Sequence, residues 1–287
     1  MSCGYMALQE AGIPVTKYYS SEVDKHAVSM SNILYPDTIQ LGDVRNIDVN
    51  ELDKVDILIG GSPCQSFSFA GKMKGMSTKC EKEILSLEQY LELKEQNFEF
   101  EGQSYLFWEY VRIYTELRLI NPEINFFLEN VLMVEKWERL ISKTLDVNPI
   151  MINSALLSAQ NRKRLYWTNI GMAPAGLFGE MTSTIKQPDD KGILLKDILE
   201  ENVAEKYYLS DKAINGIYTH QERHEEKGNG FGACISDGND KSATILNRYY
   251  KDGKEQLIKC VAMRGRNPEN PKSRESGVGC IKFGRTE

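Results

Sequence analysis

Several kinds of residue pattern are missing from this 287-residue chain, and each absence removes a class of protein. The six cysteines, at 3, 64, 80, 234, 260 and 280, form no Cys-x-x-Cys pair, and the three histidines, at 26, 220 and 224, stand at no metal-ligand spacing from them. Neither a disulfide framework nor a zinc site is therefore expected. No apolar run approaches the roughly 18 to 20 residues of a membrane span, and no signal-peptide pattern opens the chain. A cytoplasmic protein without a membrane partner is expected. A Gly-x-Gly-x-x-Gly fingerprint is absent too, which leaves a nicotinamide-dependent Rossmann enzyme with strand-helix alternation alone in its favour. Neither an internal repeat nor a low-complexity tract is visible.

What is present reads as a folded globular protein, with 41% hydrophobic and 26% charged residues. The length accommodates one α/β domain of ordinary size and a smaller appended region. A formal net charge of −6 would argue weakly against nucleic acid if it were spread evenly. It is not: residues 241–287 carry eleven Lys and Arg against five Asp and Glu, so the acidic surplus lies entirely before them. Cations gathered in one segment suit phosphate binding, although a solvated basic loop gives the same count.

Residues 1 to about 170 alternate apolar strands with amphipathic helices, the pattern of a doubly wound parallel sheet. Strands are expected near 16–20, 55–59, 124–128, 149–155 and 165–170, and helices near 6–11, 25–34, 106–119 and 134–145. The charged stretch 72–103 carries Ile84, Leu85, Leu87, Tyr90, Leu91 and Leu93 at helical spacing, which predicts an inserted helix behind a loop. Beyond about Met172 the alternation fades and Gly, Asn, Lys and Arg rise, with turn-rich segments at 228–232 and 267–271. The expected organisation is a first domain over 1–172, a linker over 173–192 and a smaller region over 193–287.

The most informative stretch is Gly60-Gly61-Ser62-Pro63-Cys64-Gln65-Ser66-Phe67-Ser68, which follows the β-branched run Val55-Asp56-Ile57-Leu58-Ile59. That run reads as a buried parallel strand, so Cys64 falls just past a strand's carboxyl end, where open α/β sheets bind ligands. A lone cysteine is usually structural. Here Pro63 fixes the backbone, two glycines permit close approach, and Gln65, Ser66 and Ser68 are polar where a core would be apolar, which favours a reactive thiol. Four further segments accompany it. Ser21-Glu22-Val23-Asp24 follows the first strand, where an acidic side chain commonly binds a ribose. Gly42-Asp43-Val44-Arg45 ends the next crossover, Glu129-Asn130-Val131 closes the strand at 124–128, and Gln160-Asn161-Arg162-Lys163-Arg164 opens the last strand. Each alone is weak, because acidic residues at strand ends are often caps and basic clusters often face water.

Together and in this order they resemble the C5-cytosine DNA methyltransferases, closely over residues 2 to about 210. Ser104-Tyr105-Leu106-Phe107 resembles that family's short cofactor-side motif, and Leu195-Lys196-Asp197-Ile198-Leu199-Glu200 its bridge to a target recognition region. The implied fold is a Rossmann-like, S-adenosylmethionine-dependent methyltransferase sheet of the α/β class with a smaller, irregular recognition region. The implied reaction transfers a methyl group from S-adenosylmethionine to C5 of a cytosine flipped out of DNA, through addition of Cys64 to C6. In that chemistry Glu129 holds and protonates N3, Arg164 contacts the cytosine and Arg162 supports the loop. Gly4, Glu22, Asp43, Pro63 and Leu106 would line the cofactor pocket, with Leu106 equally readable as helix core. Gln65, Ser66, Arg248, Lys259, Arg264 and Arg266 would contact DNA. The implied partner is double-stranded DNA, bound by a monomer; a cognate restriction endonuclease acting on the same site would fit a bacterial or phage setting.

Two departures accompany the resemblance. The family opens with an apolar strand and a glycine-containing loop, whereas this chain begins at Met1-Ser2-Cys3-Gly4, like the end of that loop; the family's two carboxyl-terminal motifs have no counterpart after Cys280. Both pieces flank the cofactor pocket, so a fragment that binds the cofactor poorly and has little or no methyltransferase activity is expected, its sheet split where the central strand would lie. The competing readings are a non-catalytic DNA-binding remnant and an enzyme acting on transfer RNA.

Overall fold

A computed structural model describes residues 2–63, 76–79, 82–177, 179–200, 209–228, 234–245, 257–261 and 278–282. In chain order the elements are α1 (Cys3–Glu10), β1 (Tyr19–Ser20), α2 (Lys25–Leu34), β2 (Ile39–Gln40), β3 (Ile57–Gly61), β4 (Ser77–Thr78), α3 (Leu87–Glu95), β5 (Phe100–Glu101), α4 (Phe107–Ile120), β6 (Asn125–Val131), α5 (Glu135–Leu145), β7 (Ile150–Asn153), β8 (Lys163–Thr168), β9 (Met172–Ala175), β10 (Glu180–Ser183), α6 (Asp211–Glu225), β11 (Ile235–Ser236), β12 (Leu257–Val261) and β13 (Val278–Lys282). They fall into two compact units, one made of residues 1–152 and 164–186, the other of 153–163 and 187–287.

Local sequence explains the helix boundaries of the first unit. Asp24 starts α2 by accepting the backbone N–H groups of His26 and Ala27. Ser86 starts α3 by accepting from the N–H of Gln89, whose side chain in turn accepts from the N–H of Leu85. Trp137, Ile141 and Leu145, one helical turn apart, form the buried stripe of α5, which ends on Asp146 in the left-handed conformation at φ 56°.

The unit's core lies between α4 and a four-stranded sheet of order β3-β6-β8-β7. Phe126, Leu128 and Asn130 alternate inward along β6, and α4 contributes Phe107, Trp108, Tyr110, Val111, Ile113, Tyr114 and Leu117 to the buried set. Trp167 of β8 is fully buried and donates its indole N–H to Ser142 of α5 at 2.9 Å. The sheet departs from the all-parallel expectation. β3 and β6 are parallel, but β6 and β8 are antiparallel, with Glu129 opposite Tyr166 and Val131 opposite Arg164. β8 thus runs opposite to β6, a direction that strand-length apolar runs do not reveal. β1 and β2 pair in parallel as a separate two-stranded sheet, leaving β3 at the edge of the larger one.

In the second unit, β11, β12 and β13 form a three-stranded sheet, and α6 spans residues for which the sequence predicts irregular structure. The polar sequence of α6, Asp-Lys-Ala-Ile-Asn-Gly-Ile-Tyr-Thr-His-Gln-Glu-Arg-His-Glu, dilutes its apolar periodicity. Among the described residues, no helix is long and apolar enough to cross a membrane, and no cluster of metal-ligating side chains occurs.

Candidate active site

The end of β3 is built for close packing. A Cβ on Gly60 would lie 2.5 Å from the ring of Tyr110, so only glycine lets β3 settle against α4 there. A Cβ on Gly61 would lie 3.5 Å from a carboxylate oxygen of Glu129, its partner across the β3-β6 ladder. Past Gly61 the ladder ends, and Pro63 has no N–H with which to continue it.

Two buried side chains take over from the ladder. Asn130 Nδ2 donates to the carbonyl of Ser62 at 3.2 Å and to its hydroxyl oxygen at 2.9 Å, while Asn130 Oδ1 accepts from the N–H of Val131. Ser104 donates its hydroxyl to the carbonyl of Pro63 at 3.1 Å. The last two carbonyls before Cys64 are thus held from two directions, by β6 and by the turn at Ser104–Leu106. Cys64, Gln65 and Ser66 themselves lie outside the described residues.

Beside this strand end, Arg164 Nε donates to Glu129 Oε1 at 2.9 Å. The carboxylate is about a third exposed and the guanidinium mostly buried. β6 supplies the acid and β8 the base, and the antiparallel register that brings Val131 opposite Arg164 places them within reach. An acid and a planar cation so paired present a hydrogen-bonding edge of fixed orientation. Arg162 belongs to the other unit; its N–H donates to Asn153 Oδ1 and its carbonyl accepts from the N–H of Ser154.

The expected cofactor residues distribute as follows. β1 and β2 run in parallel, and Glu22 and Asp43 follow their carboxyl ends, which Ser21 ties together by donating to the carbonyl of Gly42 at 2.7 Å. Glu22 Oε1 accepts from the N–H groups of Val23 and Asp24 at 2.8 and 2.9 Å, which leaves Oε2 without a donor among the described residues. A carboxylate steadied on one oxygen and open on the other suits a ribose diol, so this end of the pair fits the nucleoside of S-adenosylmethionine. Asp43 caps the turn at Val44–Asn46 and accepts from Arg45 on both oxygens. The guanidinium beside it holds its carboxyl below the usual carboxylate range. Gly4 lies in α1, where a Cβ would come within 3.1 Å of Ile59 and 3.3 Å of the Tyr18 hydroxyl. Pro63 follows β3 as described, and Leu106 is half-buried against the main core.

Of the expected DNA contacts, Lys259 is in β12, whereas Arg248, Arg264 and Arg266 lie outside the described residues. Sequence reasoning quoted Ser104 and Asn130 within motif segments without giving their side chains a role, and it passed over a buried carboxylate, Glu109. Glu109 Oε1 accepts from Lys94 Nζ at 2.5 Å and from the Tyr90 hydroxyl at 2.6 Å, and Oε2 accepts from Arg112 Nε at 2.7 Å. Lys94 and Arg112 also donate to the carbonyls of Arg45 and Val44, so this cluster joins α3 and α4 to the Asp43 turn. The spacing of Glu109 and Arg112 on one helix face was the available signal.

Comparison with known proteins adds an independent line. The family described as C-5 cytosine-specific DNA methylase matches residues 3–277. Type II methyltransferase M1.ScrFI of Lactococcus lactis subsp. cremoris is 29% identical over 91% of this chain and 62% of its own length. M.NlaX of Neisseria lactamica is 30% identical over 92% and 76%, and M.HpaII of Haemophilus parainfluenzae 31% identical over 75% and 55%. The chain thus spans about three fifths of the length of M1.ScrFI.

Proposed function

The chain belongs to the C-5 cytosine-specific DNA methylase family, and from that premise we propose that it methylates C5 of a cytosine flipped out of double-stranded DNA, with Cys64 as nucleophile. The single observation that carries this reading is the Glu129–Arg164 pair, held in register beside the strand end from which Cys64 follows. Cytosine C5 is a poor nucleophile. Addition of the Cys64 thiolate to C6, with Glu129 delivering a proton to N3, turns C5 into the carbon of an electron-rich enamine. When bound, S-adenosylmethionine supplies an electrophilic methyl group to that carbon. A base then removes the C5 proton, the electron pair of that bond expels the Cys64 sulfur from C6, and N3 returns its proton to Glu129. Arg164 contacts the cytosine and orients Glu129, and Arg162 supports the loop. Glu22 holds the cofactor's ribose, and Asp43 its adenine amino group, while Gly4, Pro63 and Leu106 shape the pocket. Residues 1–172 would carry catalysis, 173–192 would link, and 193–287 would recognise the DNA sequence, with Gln65, Ser66, Arg248, Lys259, Arg264 and Arg266 as contacts. A restriction endonuclease of the same specificity is the proposed biological counterpart, and the protein acts as a monomer.

A duplex carrying 5-fluorocytosine tests the reading, because fluorine at C5 cannot leave as a proton would and the adduct persists. With S-adenosylmethionine at a concentration that offsets the weak cofactor binding expected from the sequence, a denaturation-resistant protein-DNA adduct is expected to accumulate slowly from the chain and not at all from Cys64→Ser. DNA binding without any adduct would overturn the catalytic reading and leave a binding module.

A further inference from the structure

Lys241 opens the basic segment at the carboxyl end of the chain, where cations are expected to track DNA phosphates. Its ammonium is committed elsewhere. Nζ donates to the carbonyl of Ala155 at 2.6 Å, to that of Ser158 at 3.3 Å and to Asp190 Oδ1 at 3.1 Å, and the side chain is only 15% exposed. Three acceptors use all three of its N–H donors. The residues that follow continue the attachment by backbone: Ser242 N–H donates to the carbonyl of Ala159 at 2.6 Å, Asn161 N–H to that of Ser242 at 2.8 Å, and the Thr244 hydroxyl to the carbonyl of Asn161. Gln160 and Ser242 form a parallel bridge.

The loop so held is the one that presents Arg162. Its own bonds close it into a ring: Asn153 Oδ1 accepts from the N–H of Arg162, Ser154 N–H donates to the Arg162 carbonyl, and the Ser154 hydroxyl donates to the carbonyl of Gln160. None of these bonds holds the carbonyls of Ala155, Ser158 and Ala159. Those are held by the segment that begins at Lys241, more than 80 residues further along the chain.

We propose that Lys241 is a positioning residue for the arginine loop: it sets the loop's shape from inside the protein and does not contact DNA. The role rests on the function proposed above, since that reading makes Arg162 a part of the catalytic apparatus. The two alternatives for a lysine here differ in salt dependence. A phosphate contact contributes about 0.9 to the slope of log K against log salt concentration, whereas a strut contributes nothing.

The test uses the full chain, Lys241→Met, and the milder Asp190→Asn, which removes one acceptor and leaves the lysine in place. Hydrogen exchange over residues 153–163 is expected to quicken about tenfold or more in Lys241→Met and less in Asp190→Asn, with β3 and β6 unchanged. The salt slope for duplex binding stays within experimental error of the parent. Adduct formation with 5-fluorocytosine DNA at saturating DNA slows about tenfold or more while DNA affinity changes less than twofold, a division that general unfolding would not produce. Unchanged exchange over 153–163, or a salt slope reduced by about 0.9, overturns the proposal. If the parent chain forms no adduct, the catalytic reading fails; exchange and salt slope still decide where Lys241 acts.

Discussion

Glu109 offers the sharpest test of how the first unit is held together. It is fully buried and faces two cations and a phenol, so Glu109→Gln removes the one negative charge that Lys94 and Arg112 share there. Deleting one partner of a buried ion pair commonly costs about 3 to 5 kcal/mol, mostly because the other charge is stranded. The two cations differ in how far they are stranded. The Lys94 side chain is 36% exposed and turns to water at little cost, and Arg112, 12% exposed, keeps Glu116 at 2.9 Å. These escapes place the expected loss at the low end, about 3 kcal/mol. For a unit of this size that corresponds to a fall of roughly 6 to 12 °C in Tm. The assay is urea unfolding followed by tryptophan fluorescence. All three tryptophans, Trp108, Trp137 and Trp167, are buried in the first unit and report on it alone. Because Lys94 and Arg112 also hold the carbonyls of Arg45 and Val44, the Asp43 turn should lose exchange protection in the same variant. A loss below about 1 kcal/mol, or additivity of Glu109→Gln with Arg112→Met, would refute the view that the charges act as one cluster.

Two further expectations follow from the site. Ser104→Ala leaves the Pro63 carbonyl without its donor, so a stability loss of about 1 kcal/mol should accompany slower adduct formation at Cys64, while Ser104→Thr, which keeps the hydroxyl, restores much of the rate; an unchanged adduct rate in Ser104→Ala would show that the clamp does not serve the cysteine. The pairing with Arg45 lowers the Asp43 pKa below its ordinary 3.8, so its contribution is fully present above that value and disappears as pH falls through the lower folded-state pKa. Asp43→Asn should therefore be less stable than the parent at neutral pH and should converge with it only below about pH 4 in urea titrations, and convergence above pH 5 would sink the assignment.

Elements built from local patterns were legible before any coordinates. The helix at Lys25–Leu34 lies where its amphipathic pattern placed it, and β3 and β6 appear where β-branched and aromatic runs sit between turn residues. The direction of β8 was not legible, because a strand's side-chain period is the same whichever way it runs. The two residues of β2 make too short a run to register as a strand. Within the site, Glu129 and Arg164 could be nominated through the family resemblance that their segments carry, but not their register. Ser104 and Asn130 were invisible as clamps because their acceptors lie 41 and 68 residues away, and a serine or asparagine carries no mark of what it will bond. Lys241 looked like one cation among many for the same reason.

The route by which the arginine loop is closed also bears on how the protein is made. Among the described residues the carbonyls of Ala155, Ser158 and Ala159 find their donors in Lys241 and Ser242, so on the ribosome they remain hydrated after the first unit's strands have emerged. At roughly 5 to 20 residues per second, the 83 positions that separate Lys241 from Ser158 take about 4 to 17 seconds to synthesise. A nascent chain can therefore assemble the β3-β6-β8 sheet well before its arginine loop takes shape, and acquires a finished loop only once the segment through Thr244 has left the tunnel.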